Sequence, residues 1–229
     1  MSHSFTEVPL TPLRKAIAAR MTQANQMIPH FRLVANLEID ALLRWRAAIN
    51  EVDPTKRISV NDCLLKAVAV SLVDNPALNC QMTDTAIHRF HRADISVVIA
   101  VEGGLATPVV RGAEAKSVME ISAEVKNFAK RAGRNAMKLS EISGGSFSIS
   151  NLGGYGVEQF DAIINAPQCA ILAVGKAEPR VVADRLNGTR VATMLTCTLS
   201  VDHRAVDGVE ASKFLLGLRD TISDPDRLE

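Results

Sequence analysis

Helical and strand segments follow one another irregularly along this chain, and that order limits the fold more than any other feature of the sequence. About five segments have the apolar spacing of helices, and about eight or more have the alternation or the short apolar runs of strands. A strict alternation of strand and helix would favour a doubly wound parallel sheet. The irregular order instead predicts an α/β (α+β) protein, in which a mixed β-sheet is covered by helices.

The helical segments are identified by their ends and by the spacing of their apolar residues. Pro12 suits a first helical turn, and prolines at positions 29 and 76 end two of the segments. The predicted helices cover residues 12–28, 40–50, 59–73, 117–131 and 207–223. Residues 59–73 contain few polar side chains, so we expect this helix to be buried on nearly all sides.

The strand segments are rich in alternating or continuous apolar residues. They cover residues 30–39, 94–101, 105–110, 146–150, 169–174, 180–183 and 189–201, with a hairpin-like segment around residues 85–91. The sequence has no internal repeat and no low-complexity linker between these segments. Residues 1–229 are therefore interpreted as a single domain.

The composition argues against several classes of protein. The 229 residues include 26 basic and 25 acidic ones, which give a net charge of +1, so a broad surface for nucleic acid or an anionic membrane is not expected. No apolar run approaches the ~20 residues of a membrane-spanning helix, and the first residues lack the layout of a secretion signal. These features predict a cytoplasmic protein, or one of the mitochondrial matrix if the source is eukaryotic.

Two sets of residues could bind a metal, and neither is well suited to it. The four cysteines, Cys63, Cys80, Cys169 and Cys197, are far apart in apolar surroundings and form no C-x-x-C pair, so they are predicted to be reduced core residues. His88 and His91 form an H-x-x-H pair that no nearby carboxylate or cysteine completes. We interpret them as exposed turn residues and predict no metal. A third histidine, at position 30, is expected to be a core or interface residue.

The junction between residues 198 and 208 is best suited to chemistry. His203 follows a long apolar β segment, so the sheet would hold its backbone while its ring projects at the surface of a cleft. An imidazole, with an unperturbed pKa of about 6.5, can accept a proton near neutral pH. Asp207 lies in the first turn of the next helix, where it could brace the loop of His203 or pair with a cation. Together these residues favour a catalytic role.

The segment His203-Arg-Ala-Val-Asp207-Gly208 matches the His-x-x-x-Asp-Gly motif of chloramphenicol acetyltransferase-like acyltransferases. Because an aspartate precedes the histidine, the chain resembles more closely the catalytic core of dihydrolipoamide acyltransferases, the E2 components of 2-oxo acid dehydrogenase complexes of the pyruvate or acetoin type. The resemblance covers about residues 13–223 and implies a two-layer sandwich. Further similar segments occur in the family's order: Ile28-Pro-His-Phe31, Ser59-Val-Asn-Asp62, Asp94-Ile-Ser-Val97, Gly104-Leu-Ala-Thr-Pro-Val109, Ser146-Phe-Ser-Ile-Ser150-Asn-Leu-Gly153 and residues 162–175.

The resemblance implies a transfer of an acyl group, with acetyl favoured over succinyl or branched-chain groups, between the dihydrolipoamide thiol and coenzyme A. His203 would be the general base, and Ser150 would donate a hydrogen bond to the oxyanion. Ser146 and Ser148 share the predicted strand face of Ser150, so the residues alone do not choose among the three serines. The residues that bind coenzyme A are not identified. Six cations could contact its phosphates, although a solvated helix face is the simpler role for most of them: Arg111, Lys116, Lys126, Lys130, Arg131 and Arg134.

The resemblance also implies a homotrimer in which His203 of one subunit faces Ser150 of the next. Partners would be lipoyl domains and the E1 and E3 components, and the lipoyl group would be carried on a domain absent from this chain. No lipoyl or subunit-binding domain is recognisable. Residues 224–229 lack the apolar ending that joins trimers of the family into cubic cores, so a larger core is left open. Two alternatives remain: a free-standing acyltransferase acting on a small hydroxyl or amine compound, and a non-catalytic structural component.

Overall fold

The described residues of a computed structural model, 4–101, 104–134, 136–184 and 188–229, comprise helices packed on a mixed sheet. The helices are α1 (Pro12–Met27), α2 (Asp40–Val52), α3 (Val60–Asp74), α4 (Val118–Ala132), α5 (Leu139–Ile142) and α6 (Gly208–Ser223). The strands are β1 (His30–Glu38), β2 (Cys80–Met82), β3 (Ile87–Arg89), β4 (Ile95–Val97), β5 (Ile99–Val101), β6 (Gly104–Ala106), β7 (Val109–Val110), β8 (Phe147–Asn151), β9 (Ala170–Asp184) and β10 (Gly188–Asp202).

The main sheet has the strand order β1-β10-β9-β8-β4-β7. Strand β10 lies between β1 and β9 and is antiparallel to both, whereas β8 is parallel to β9 and to β4. Two short hairpins, β2-β3 and β5-β6, form separate two-stranded sheets. The combination of parallel and antiparallel neighbours, covered by helices, confirms the predicted fold class.

Helix α3 is the centre of the helical layer. Its N-terminus is closed by a capping box, in which the Ser59 hydroxyl accepts from the Asp62 N–H at 3.1 Å and the Asp62 carboxylate accepts from the Ser59 N–H at 2.7 Å. Helices α2, α4 and α6 all contact α3. Most of α3 is buried, as its apolar sequence predicts, because it has neighbouring helices on its sides and the sheet beneath it.

Helix α1 is packed differently. Thr11 caps it, and its side-chain oxygen accepts from the Arg14 N–H at 3.1 Å. Within α1 only Ala24 is buried, and it joins a small apolar cluster with Ile28, Ile164 and Ile171, separate from the main core. No helix among the described residues is long and apolar enough to cross a bilayer.

The structure corrects the boundaries of several predicted strands. Residues 170–174 and 180–183 belong to one long strand, β9, because a bulge between Leu195 and Cys197 of β10 shifts the register and lets the pairing continue. Residues 94–101 are divided between β4 in the main sheet and β5 in a hairpin. Residues 105–110 are divided at Pro108, which has no N–H to donate. His88 lies in strand β3 rather than in a turn, although it is exposed as predicted.

Gly175, in β9, allows close approach of the segment that contains Val157 and Glu158, which follows the loop after β8. A Cβ atom at this position would lie 1.9 Å from the Glu158 carbonyl oxygen, and the neighbouring Lys176 N–H donates to the Val157 carbonyl at 2.7 Å. The backbone of one segment therefore occupies the space that a side chain would need.

We expect Gly175→Ala to lower the free energy of unfolding by about 2 kcal/mol or more, because the segment that contains Val157 and Glu158 must move. Gly154→Ala is the matched control, since a Cβ there meets no atom within 4 Å. Urea unfolding followed by circular dichroism measures both variants. Equal unfolding midpoints would show that the approach is not close.

Candidate active site

His203 lies one residue beyond the end of β10, and its position is defined by the start of β1. Its backbone N–H donates to the Pro29 carbonyl at 3.1 Å, and its ring centroid lies 4.9 Å from that of Phe31. The imidazole is exposed. The side chain is therefore placed at a strand end with its ring at the surface, which is the location that the sequence predicts.

The Phe31 ring fills the space between His203 and the first residue of α6. A Cβ atom on Gly208 would lie 3.2 Å from Phe31 Cε1. Glycine at position 208 thus permits close contact between the helix start and the aromatic ring that supports the imidazole. This contact is a physical reason for the glycine in the motif.

Asp202 and Arg204 flank His203 in sequence, and the bonds between them hold the backbone on both sides of it. The sequence predicted no role for either residue. The Asp202 side chain is 1% exposed; its Oδ1 accepts from the Arg204 N–H at 3.0 Å, and its Oδ2 binds the Arg204 guanidinium at 2.6 Å. These hydrogen bonds and the charge of Asp202 raise the pKa of Arg204 above its ordinary value. An acidic residue two positions before an arginine at a strand end was the signal that could have revealed this pair.

Asp207 is the N-cap of α6. Its Oδ1 accepts from the Val209 N–H at 2.8 Å and the Glu210 N–H at 2.9 Å, and Glu210 accepts in return from the Asp207 N–H at 3.2 Å. Within the described residues its hydrogen bonds go to the helix start, not to the imidazole. Of the two roles predicted for Asp207, the geometry corresponds to bracing the loop rather than pairing with a cation.

Ser150 lies near the end of β8, at a cavity of about 460 Å³. The walls are mostly apolar and come largely from α4, β4, β5, β6 and β8, and the polar members besides Ser150 are Asn61, Asn151 and Tyr155. Ser150 is half-buried, whereas Ser146 and Ser148 are buried and hydrogen-bonded, the first to the Asp94 backbone and the second to Gln168. Of these three serines, only Ser150 lines the cavity, which distinguishes its position from those of the other two.

The loop after Ser150 is held by an asparagine pair. Asn151 Nδ2 donates to Asn61 Oδ1 at 3.0 Å, and Asn151 Oδ1 accepts from the Gly153 N–H at 2.9 Å. Residues 153–155 form a turn that ends at Gly156, with φ of 79° in the left-handed region. Sequence reasoning did not find the contribution of Asn61, because it depends on a contact between α3 and β8.

Within one chain, His203 and Ser150 are far apart. Ser150 lies opposite Ala173 of β9, while Val201 of β10 lies opposite Ala170, so His203 is displaced by about five positions along the sheet and by two strands across it. Standard strand spacings convert this offset to roughly 16 Å along and roughly 10 Å across, or about 19 Å in total. A single chain does not bring the two side chains into one reaction site.

The other candidate residues have structural contacts or lie on the surface. His30 is half-buried, with Nδ1 2.9 Å from the Ile28 carbonyl oxygen and Nε2 accepting from the Ile164 N–H at 3.0 Å. His91 is exposed, and the described residues contain no group of three or more potential metal ligands. All four cysteines are free and buried, as predicted. Three of the six cations suggested for phosphate binding form ion pairs, namely Arg111 with Asp94, Lys116 with Glu124 and Arg131 with Glu141.

Comparison with known proteins gives consistent matches. A family model described as 2-oxoacid dehydrogenases acyltransferase (catalytic domain) matches residues 2–229. The dihydrolipoyllysine-residue acetyltransferase component of the mitochondrial pyruvate dehydrogenase complex of Dictyostelium discoideum is 43% identical over 229 residues, covering 99% of this chain and 36% of that protein. The corresponding component of Rhizobium meliloti (strain 1021) is 41% identical over 228 residues, covering 97% and 51%. The chain thus spans 36% to 51% of these relatives.

Solved structures agree with the sequence matches. The dihydrolipoamide acetyltransferase of Azotobacter vinelandii, studied for the role of a serine, a histidine and an asparagine in its mechanism, is 30% identical with a TM-score of 0.94, covering 98% of this chain and 94% of that one. The cubic core of a pyruvate dehydrogenase multienzyme complex is 30% identical with a TM-score of 0.93, covering 98% and 94%. A chloramphenicol acetyltransferase, 15% identical with a TM-score of 0.55, covering 89% and 94%, shares the fold.

We expect Asp207→Ala to lower the free energy of unfolding by about 1 kcal/mol, because two N–H groups of α6 lose their acceptor. Asp207→Asn should cost much less, since an asparagine oxygen can accept the same bonds. The unfolding midpoint in urea measures both variants. If the two variants lose equal stability, the capping role is wrong.

Proposed function

The chain belongs to the 2-oxoacid dehydrogenase acyltransferase (catalytic domain) family, and on that premise we propose that it transfers an acyl group, acetyl in preference, between the dihydrolipoamide thiol and coenzyme A. The observation that carries the proposal is the placement of His203 and Ser150. His203 presents an exposed imidazole at the end of β10, and Ser150 lines an apolar cavity at the end of β8. A base and a hydroxyl donor are the two groups that acyl transfer to a thiol requires.

The Azotobacter vinelandii structure supports the assignment of the residues. The histidine and asparagine studied in that protein are four positions apart, as are His203 and Asp207 in this chain, and the serine precedes the histidine by nearly the same distance as Ser150 does here. Asparagine and aspartate both accept hydrogen bonds at a helix N-cap. The difference at position 207 is therefore compatible with the capping geometry of Asp207.

The proposed reaction begins at the coenzyme A thiol. His203 accepts the thiol proton, because the thiolate rather than the thiol is the effective nucleophile. The new carbon–sulfur bond forms at the carbonyl carbon of the lipoyl thioester, and the negative charge moves to the carbonyl oxygen. The Ser150 hydroxyl donates a hydrogen bond to that oxyanion. When the original carbon–sulfur bond breaks, the dihydrolipoamide sulfur takes the proton back from His203.

The cavity beside Ser150 fits the thioester end of such substrates. Its volume of about 460 Å³ and its apolar walls would accept a narrow, mostly apolar arm. Asn151, held by Asn61, fixes the strand end that carries Ser150. No residue is proposed for the phosphates of coenzyme A, because the described residues that line the cavity include no lysine or arginine.

We further propose a homotrimer in which His203 of one chain faces Ser150 of its neighbour. The separation of about 19 Å within one chain supports this arrangement, because the two groups must lie within a few ångströms of one thioester. The N-terminal segment also exposes large apolar residues, with Phe5 81% and Val8 78% exposed, as expected for a contact between chains. We also propose that trimers can join into a larger cubic core. Its partners would be lipoyl domains and the E1 and E3 components, and it would be located in a bacterial cytoplasm or a mitochondrial matrix.

The function is tested by offering acetyl-, succinyl- and isobutyryl-coenzyme A with dihydrolipoamide and measuring thioester formation. Acetyl-coenzyme A should have the highest kcat/KM, by about tenfold or more over the larger groups. His203→Ala should lower kcat by ~10²–10⁴, because the general base is lost.

His91→Ala is the matched control, because His91 is an exposed histidine in a loop between strands. Its rate should equal that of the unmodified protein. Near-normal transfer by His203→Ala would refute the mechanism, whereas transfer to alcohols or amines in preference to dihydrolipoamide would identify a different acyltransferase.

The shared site is tested by co-expressing two inactive variants that carry different affinity tags. Ser150→Ala alone should lower kcat by ~10²–10³, through the loss of one oxyanion donor. Mixed trimers containing Ser150→Ala and His203→Ala chains should regain about one third of the normal activity, because one of the three interfaces then joins two intact groups.

The control for this experiment is each variant co-expressed with a differently tagged copy of itself, which restores nothing. Sedimentation of the purified assemblies measures the number of chains. If mixed assemblies are no more active than the single variants, the reaction site lies within one chain and the proposed arrangement is wrong.

A further inference from the structure

Cys80 and Cys169 lie opposite each other where β2 meets the segment that leads into β9. Gln81 and Gln168 form an isolated antiparallel bridge, which makes Cys80 and Cys169 the adjacent opposed pair. The Cys169 N–H donates to the Cys80 carbonyl oxygen at 3.2 Å. Opposed residues of antiparallel strands have Cα atoms about 4.5–5.5 Å apart, which is within the range of about 4.4–6.8 Å that a disulfide spans.

The two thiols are also in contact. The Cys169 thiol donates a hydrogen bond to Cys80, and Cys80 Sγ donates to the Ala77 carbonyl at 3.2 Å. The hydrogen bond from Cys169 lowers the pKa of Cys80, while the same bond and burial raise the pKa of Cys169. Burial alone raises the pKa of Cys197 to about 12, and burial is also the main cause that raises the pKa of Cys63 to about 12. Of the four thiols, Cys80 is the one whose ionisation the structure favours.

We propose that Cys80 and Cys169 form a reversible intramolecular disulfide when a peroxide oxidises the protein, and that this bond displaces the loop of His203. The Cys80 thiolate attacks one peroxide oxygen, the O–O bond breaks, and the released hydroxide takes a proton to become water. The Cys169 sulfur then attacks the sulfenic acid on Cys80, the S–O bond breaks, and a second water leaves with the Cys169 proton. Two thiols and one hydrogen peroxide thus become one disulfide and two waters.

The position of the two cysteines explains how a peroxide can reach Cys80 and how a disulfide can affect the loop of His203. Hairpin β2-β3 lies outside the main sheet and its strand β3 is exposed, so local opening of the hairpin can expose Cys80. On the other side, the Cys169 carbonyl accepts from the Asp202 N–H at 2.8 Å. A movement of Cys169 toward Cys80 is therefore transmitted to Asp202, whose carboxylate holds the backbone beside His203. The inference goes beyond the proposed function and does not depend on it.

The test treats the reduced protein with hydrogen peroxide, removes the peroxide with catalase and alkylates the remaining thiols. We expect the intact mass to show a loss of two hydrogen atoms and the number of alkylated cysteines to fall from four to two. Trypsin cleavage at lysine and arginine leaves the four cysteines in four different peptides, so the linked pair is read directly. The linked peptides should be residues 67–89 and 139–176, and dithiothreitol should release them.

The matched controls are the other two buried cysteines. Cys63→Ala and Cys197→Ala should form the same linkage, whereas Cys80→Ala and Cys169→Ala should form none. Peptide mapping of the unmodified sequence decides the pairing even if one of these variants does not fold. The absence of the 67–89 to 139–176 linkage, or a linkage found only between chains, would overturn the disulfide.

The effect on the loop is measured by the imidazole proton resonance of His203, assigned through its absence in His203→Asn. Oxidation should shift this resonance and dithiothreitol should restore it, while the His91 resonance stays in place. A formed disulfide with an unchanged His203 resonance would contradict the coupling to the loop. None of these readouts measures acyl transfer, so failure of the disulfide and failure of the proposed function are distinguishable.

Discussion

The pairing of β10 with a strand on each of its two sides is the constraint on which the rest of this structure depends. Strand β9 pairs with β10 from Gly188 to Val201, and β1 pairs with it from Met194 to Asp202, so the end of β10 cannot move independently of the sheet. The buried Asp202 carboxylate extends this rigidity past the last paired residue by holding Arg204. His203 stands between these two residues, and the Phe31 ring on β1 limits its orientation. A base is useful only when its position is fixed, and here secondary structure fixes it.

The directions of the strands also place His203 and Ser150 at opposite ends of the sheet. Because β10 is antiparallel to β9 while β8 is parallel to it, the carboxyl ends of β10 and β8 point in opposite directions. His203 follows the end of β10 and Ser150 lies near the end of β8, so they cannot meet within one chain. In the proposed trimer, the histidine of one chain would face the serine of its neighbour.

Local signals predicted a large part of this molecule, and non-local pairing explains where they failed. Capping residues such as Thr11, Ser59 and Asp207 lie within a few residues of the groups that they bind, so helix ends were predicted to within a few positions. The strand boundaries were less accurate, because the continuous length of β9 depends on a bulge in its partner strand. Asn61 and Asn151 are 90 positions apart in sequence, and no local pattern predicts that they form a hydrogen bond.

The sequence by itself determined the fold class, the order of the five longer helices and the presence of an imidazole at a strand end, because each depends on the periodicity of apolar residues or on the composition of one short segment; the short helix α5 was not predicted. Only the tertiary structure decided which of three alternating serines lines a cavity, since Ser146 and Ser148 bind distant backbone and side-chain groups while Ser150 lies in the cavity wall. It also showed the pairing of Asp202 with Arg204 and the contact between Cys80 and Cys169. The cavity beside Ser150 and the contact between Cys80 and Cys169 arise when segments that are remote in sequence meet, and a linear pattern carries no information about that meeting.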